Sequence, residues 1–387
     1  MLEKAFSGGR TYWSWITWLA LLCIAGFLCY LSQLRDGLAV TGMGRSVSWG
    51  LYIANFTFFV GVAASAVCVV LPYYLHDVKA FGKITVLGEF LAVSAVVMSI
   101  LFIFVDLGQP ARVLNIILYP SPRSLLFWDM IVLSGYLFLN LVTGWFTLDA
   151  EYKGEQPLPW VRPLIKVSIP WAVSIHTVTA FIYAGLAGRP FWLSALLAPR
   201  FLASAFASGP ALLIITALAM RRFARFDVGR EAIDKVAVIV TYALATMLFF
   251  FLVEVFTVFY GAIPEETIHY RFLLFGLDKN YSLVPWAWGW IVLAAGAFVI
   301  LVTRRRNERG LVVACVAVFI AMWIDKGLGL LVPGFVPSPV GEVTTYTPTV
   351  REVLITAGIW GVGGLFMTVL FKTVIAVKKA GASTQAP

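Results

Sequence analysis

The sequence predicts an all-α, polytopic membrane protein of ten transmembrane helices, arranged as two four-helix bundles plus two flanking helices. Three observations carry this. Of the 387 residues, 60% are hydrophobic and 13% charged, a balance that a soluble globule cannot wrap without a vast exposed apolar surface. Apolar runs recur along the whole chain at about 18 to 25 residues, the length a helix rising 1.5 Å per residue needs to cross roughly 30 Å of hydrocarbon. The segments between the runs are too short to fold independently, so residues 1–387 read as a single integral membrane domain.

The ten runs fall at 12–31, 49–75, 86–107, 124–148, 169–187, 201–220, 236–260, 285–303, 311–331 and 352–377. The first follows Lys4 and Arg10 but is too long for a signal peptide, and no small-residue cleavage site follows it, so it reads as a helix. GVAASA (61–66) in the second run and AGIWGVGG (357–364) in the tenth place small residues at the spacing that lets helix backbones approach. Runs 2–5 and 6–9 enter in the same directions with similar loop order, which suggests two parallel four-helix units. The first and tenth runs flank them.

An even number of spans puts both termini on one side. That side carries nineteen of the 29 Lys and Arg residues and the other carries nine, with Lys326 left inside a span. The termini are therefore expected in the cytoplasm, and the protein as a multi-pass component of the inner (cytoplasmic) membrane. This asymmetry, with anionic lipid, explains the net charge of +9, so no nucleic-acid role is read from it.

The redox-capable residues are few. Cys23, Cys29, Cys68 and Cys315 are scattered through spans with no CxxC spacing, which encodes neither a disulfide framework nor an iron–sulfur cluster. His76 and His269 fall in loops on opposite faces and His176 alone lies in a span, so a haem held by two histidines from different helices is not expected. No metal site is predicted. A chain of this kind that handles electrons needs a small carrier and a partner that owns the metal.

Polar residues inside spans are the informative ones, because each costs a few kcal/mol at bilayer depth unless it is paired, wetted or functional. They include Asn55, Glu89, Asp106, Asp129, Asn140, His176, Glu254, Asp325 and Lys326. Several have plain structural readings. Lys326 and Glu254 lie at similar depth and could pair; the hydroxyls of SIHTVTAF (174–181) could satisfy His176; Asn55 could join two helices; and Glu89 could snorkel to the interface. The prolines lie mostly at span ends, which speaks against a transporter with helices broken at the midplane. A passive anchor would not need so many ionisable residues in lipid.

The stretches TGMGRSVSWGLYIANFTFFVGVAAS (41–65), VDLGQPARVLNIILYPSPRSLLFWD (105–129), IPWAVSIHTVTAFIYAGLAGRPFW (169–192) and APRFLASAFASGPALL (198–213) resemble the NrfD/polysulfide reductase family of membrane subunits. The likeness is greatest to its ten-span branch, typified by the DsrP component of the sulfite-reduction-associated DsrMKJOP complex. It covers nearly the whole chain and is weakest after residue 300. Gln109 departs from the DLGRP that many relatives show. The resemblance implies an exchange of electrons between the menaquinone pool and a periplasmic iron–sulfur subunit. It also implies further haem- and iron–sulfur-containing partners in a Dsr-type complex linked to sulfite reduction.

On that reading Asn55, Asp106, Trp128, Tyr136 and His176 line a quinone site, with Asp106 and His176 as catalytic acid–base groups. Glu89, Asp129, Glu254, Asp325 and Lys326 form a proton relay. In DLGQPAR, Gly108 and Pro110 close a turn that fixes Asp106 at head-group depth. The alternative is that Asp106 caps the turn by bonding to Arg112.

Overall fold

Each apolar run winds into a helix because lipid offers a backbone no hydrogen-bond partner but itself. The computed structural model describes residues 3, 6–304 and 307–384. Lys4, Arg305 and Arg306, which enter the charge balance, and Pro387 lie outside them. Among the described residues the elements are helical throughout, apart from one isolated bridge at Leu277 and Asn280.

Helix α1 spans Arg10–Asp36; α2 (Leu51–Val62) passes through a 3₁₀ turn (Ala63–Ser65) into α3 (Val67–Leu75); α4 spans Thr85–Asp106 and a single turn, α5, spans Asn115–Leu118. Then follow α6 (Leu125–Lys153), α7 (Val161–Ala184), α8 (Leu197–Phe223), α9 (Arg230–Gly261) and the short α10 (Pro264–Phe275). The chain finishes with α11 (Val284–Arg304), α12 (Glu308–Lys326), α13 (Leu328–Phe335) and α14 (Val350–Thr384). Ten helices in the described residues, counting α2–α3 and α12–α13 as one each, are long and apolar enough to cross a membrane. Local signals set their ends. Gly154 takes the left-handed conformation (φ 71°) that closes α6, and the Asn307 side chain accepts the Arg309 N–H to start α12.

The packing follows the two units predicted from the sequence. Helices α2–α3, α4, α6 and α7 form one group, α8, α9, α11 and α12 the other, and α2 and α7 meet α8 across the seam. Helices α1 and α14 run along each other, and α14 packs on α4, α6 and α2. Two glycines make these seams possible. A Cβ on Gly26 would stand 2.7 Å from the Gly358 Cα, and one on Gly209 would stand 2.6 Å from the Val62 carbonyl oxygen, so larger side chains there would force the helices apart.

The structure corrects the expectation about prolines. Pro72, Pro170, Pro210 and Pro333 all lie inside helices, with Pro210 near the middle of α8. Two spans are also interrupted, at residues 63–65 and at Gly327. Such breaks are tolerated in a membrane where neighbouring protein satisfies the freed backbone groups. Beside the second break, the Trp192 indole donates to the Leu330 carbonyl of α13 at 3.0 Å. Unbroken spans are therefore no ground for setting a transporter aside.

Segments 37–50, 185–196, 262–283 and 336–349 interlock on one face, called here the loop face. Arg189 donates to the Phe335 carbonyl at 3.2 Å, and His269 Nδ1 lies 3.2 Å from the Val336 carbonyl. Burial holds the His269 imidazole below its ordinary value, so it is neutral at pH 7 and its Nδ1–H can serve that carbonyl.

Candidate functional site

Asp106 is the last residue of α4, where the helix gives way to Leu107 and Gly108 at the loop face. Pro110 then opens a 3₁₀ turn that ends on Arg112. Arg112 is exposed and forms no ion pair with Asp106 among the described residues. Instead, Asp106 Oδ1 is shielded from solvent and has no hydrogen-bond partner.

Groups from three other helices form a cage around this end of α4. From α1, the Gln33 amide donates to the Val105 carbonyl at 2.6 Å, which pins the last turn of α4. From α2, the Tyr52 hydroxyl donates to Gln33 Oε1, also at 2.6 Å. From α14, the buried Glu352 carboxylate accepts from the Gly42 N–H (2.6 Å), the Tyr346 hydroxyl (2.7 Å) and the Thr349 N–H (2.8 Å). Tyr346 in turn accepts the Leu51 N–H at the start of α2, 2.7 Å away. Glu352 thus ties the loop before α2 to α14, with both carboxylate oxygens bonded.

Two turns below Glu352 on the same stripe of α14, the Trp360 indole donates to Asn55 Oδ1 at 3.0 Å. Trp323 of α12 donates to the same oxygen at 3.1 Å, and the Asn55 amide nitrogen returns to the Leu51 carbonyl at 2.8 Å. Asn55 therefore clamps three helices together. Phe59 packs edge-on against Trp360 and stacks on Phe102, making an aromatic floor beneath the cage.

The other predicted residues lie elsewhere. Asp129 is buried and accepts from the Thr179 hydroxyl at 2.8 Å. Tyr136 is buried with its hydroxyl 3.4 Å from the Ala63 carbonyl, at the break between α2 and α3. Trp128 is 44% exposed on the outside of the molecule and donates to the Pro122 carbonyl, so the structure does not bring it to Asp106. Glu89 does not snorkel: it is buried against α6, with Oε1 accepting from Thr143 at 2.9 Å and Oε2 without a partner.

Two pairings expected from the sequence are replaced. The hydroxyls around His176 do not satisfy it, because Ser174 and Thr177 bond to carbonyls of their own helix and Thr179 bonds to Asp129. Both His176 ring nitrogens are buried without a partner. Nor does Lys326 pair with Glu254. Arg200 of α8 takes Glu254 at 2.7 Å and also Asp325, while Lys326 donates to the Phe201 carbonyl at 2.9 Å and sits over the Phe201 ring. The fork of the guanidinium presents one terminal nitrogen to each carboxylate.

The family model described as "Polysulphide reductase, NrfD" matches residues 39–337. The chain belongs to that family. It is similar to a putative dimethyl sulfoxide reductase membrane subunit of Halobacterium salinarum, at 27% identity over 91% of this chain and 89% of the relative. It is also similar to a selenate reductase subunit of Mesobacillus selenatarsenatis, at 24% identity over 76% of each chain. A third relative is the Hdr-like menaquinol oxidoreductase integral membrane subunit of Archaeoglobus fulgidus, at 22% identity over 90% of this chain and 89% of that one.

Within this NrfD-family chain, the matched segment contributes Tyr52, Asn55 and Asp106 to the cage. Helices α1 and α14 lie outside it and contribute Gln33, Glu352 and Trp360. Gln33, Tyr52, Arg200, Tyr346 and Glu352 carry no signal in the sequence that marks them as site residues. Gln33, Arg200 and Glu352 stand within two residues of a predicted span end, where a polar group reads as an interfacial anchor.

Proposed function

We propose that this chain is the quinone-reactive membrane subunit of a respiratory redox complex, with the quinone head group held at Asp106. The observation that carries this reading is the buried Asp106 oxygen without a partner. A shielded acceptor at the loop-face end of a helix is a costly feature unless a ligand uses it. Membership of the NrfD family and the likeness to a menaquinol oxidoreductase subunit support a menaquinol or menaquinone ring as that ligand.

Oxidation of a quinol releases two electrons and two protons. In this proposal Asp106 takes one of the two protons from a ring hydroxyl, and the other passes to water at the loop face. Gln33, by holding the Val105 carbonyl, keeps the end of α4 and hence this carboxylate in place. The electrons go to an iron–sulfur subunit on the loop face, and further haem- and iron–sulfur-containing subunits complete the assembly. A sulfite-linked complex of the DsrP type is the finer form of this proposal. Asp129, His176 and Glu89, each buried in the membrane, and the Arg200 cluster with Glu254, Asp325 and Lys326 mark the proposed proton route.

The bias of nineteen positive residues to nine supports a cytoplasmic location for both termini and, with it, a periplasmic loop face. A reporter fused after Pro387 should then be active only in the cytoplasm. Periplasmic activity would reverse the orientation.

The interrupted spans favour a second reading, that of a secondary transporter. One experiment separates the two. The purified complex is titrated with a fluorescent quinol-site inhibitor, before and after the iron–sulfur partner is stripped. Specific quenching is expected. Substrate counterflow without quenching would establish a transporter, and neither signal would leave only a passive anchor.

A further inference from the structure

We propose that the two flanking helices complete the head-group site, with the hydroxyls of Tyr30 (α1) and Thr356 (α14) held as hydrogen-bond partners for the ring oxygens of quinol or quinone beside Asp106. The inference rests on the reading of Asp106 given above. It adds residues that lie outside the segment matched by the family model.

The polar groups of the cage divide into two sets. Gln33, Tyr52, Asn55, Tyr346 and Glu352 are bonded to one another, to main chain or to indoles. Asp106 Oδ1, Tyr30 Oη and Thr356 Oγ1 are all shielded from solvent and have no hydrogen-bond partner among the described residues. Their placement is set by groups already located. Tyr30 precedes Gln33 by three residues and so shares its face of α1, and its ring lies 6.0 Å from that of Phe104, in the last turn of α4. Thr356 lies on α14 between Glu352 and Trp360, four residues from each, and both of these bond to groups at the start of α2 or the loop before it.

The chemistry of the second set suits a ring that changes its own hydrogen-bonding character. The carbonyls of a quinone only accept, whereas the hydroxyls of a quinol also donate. A side-chain hydroxyl can rotate to donate to the first or accept from the second. Phenylalanine at position 30 and valine at position 356 would fill the same volumes without burying an unsatisfied hydroxyl. The aromatic floor of Trp360, Phe59 and Phe102 offers the apolar surface that the ring faces require.

The test is equilibrium binding of radiolabelled, tail-less 2,3-dimethyl-1,4-naphthoquinol, kept reduced under anaerobic conditions, to the intact solubilised complex, because only the quinol can donate to the Asp106 carboxylate. The variants are Tyr30→Phe, Thr356→Val, Thr356→Ser and Asp106→Ala. Tyr30→Phe and Thr356→Val should each weaken binding about 3- to 10-fold, the scale of one lost neutral hydrogen bond. Their thermal midpoints without ligand should be unchanged or raised, because the deleted hydroxyl has no hydrogen-bond partner among the described residues. Thr356→Ser should bind as wild type. If both hydroxyl deletions bind normally while Asp106→Ala is weakened, the flanking helices play no part and only this inference falls. If Asp106→Ala also binds normally, the quinone site itself is misplaced. Lowered midpoints in Tyr30→Phe and Thr356→Val would show that the hydroxyls hold the fold, and would overturn the inference as well.

Discussion

Arg200→Leu should lower the stability of the folded chain by about 3 to 5 kcal/mol, the cost of removing one partner from a buried charge cluster. In wild type the guanidinium bridges Glu254 and Asp325, and all three groups are buried. Leucine fills much of the stem volume but leaves two carboxylates facing each other in a dry interior. The size of this penalty comes from the carboxylates, which sets a second expectation. The triple variant Arg200→Leu, Glu254→Gln, Asp325→Asn removes every uncompensated charge and should recover most of the loss. Lys326→Met should cost less than Arg200→Leu, since Lys326 donates to the Phe201 carbonyl, sits over a ring face and forms no ion pair among the described residues. Thermal midpoint and yield of folded protein in detergent measure all three. An Arg200→Leu variant as stable as wild type would show that the cluster is not held by its cation.

The even spacing of the helices could be read from the letters because a membrane imposes one dominant rule: about twenty apolar residues per crossing. The same rule hid much of the site. Gln33 lies two residues past the first predicted run, Arg200 one residue before the sixth, and Glu352 opens the tenth. At such depths a polar side chain is usually wetted, and only packing reveals that these three are covered. Glu254 was legible as a buried charge, but its partner was not, because Arg200 follows a proline in what reads as a loop. In the structure α8 begins at Leu197, so Arg200 already sits in its first turn.

The partners of His176 were misjudged for a related reason. Neighbouring hydroxyls on a helix prefer carbonyls of the preceding turn, and Ser174 and Thr177 both take that local bond. The breaks at residues 63–65 and Gly327 leave no mark of the kind a midplane proline would give. Asp106 was singled out by the abrupt change from FIFV to DLGQP, and the structure adds what no spacing could show, that Arg112 does not reach it.

Asp106→Asn carries the largest expected functional effect. Asparagine keeps the size and a hydrogen bond but removes titration, so quinol turnover should drop by about two orders of magnitude, the scale of a lost general acid or base. Stability should hold, because the carboxylate oxygen it replaces has no partner to lose. Arg112→Gln serves as the internal control: the side chain is exposed and makes no ion pair with Asp106, so neither turnover nor stability should change. The deciding measurement is quinol oxidation per mole of assembled complex, taken with the thermal midpoint of the same preparation. A roughly hundred-fold drop in Asp106→Asn at an unchanged midpoint, with Arg112→Gln like wild type, is the predicted result. Normal turnover at a lowered midpoint in both variants would contradict it, and would make Asp106 and Arg112 parts of a surface turn with no share in the chemistry.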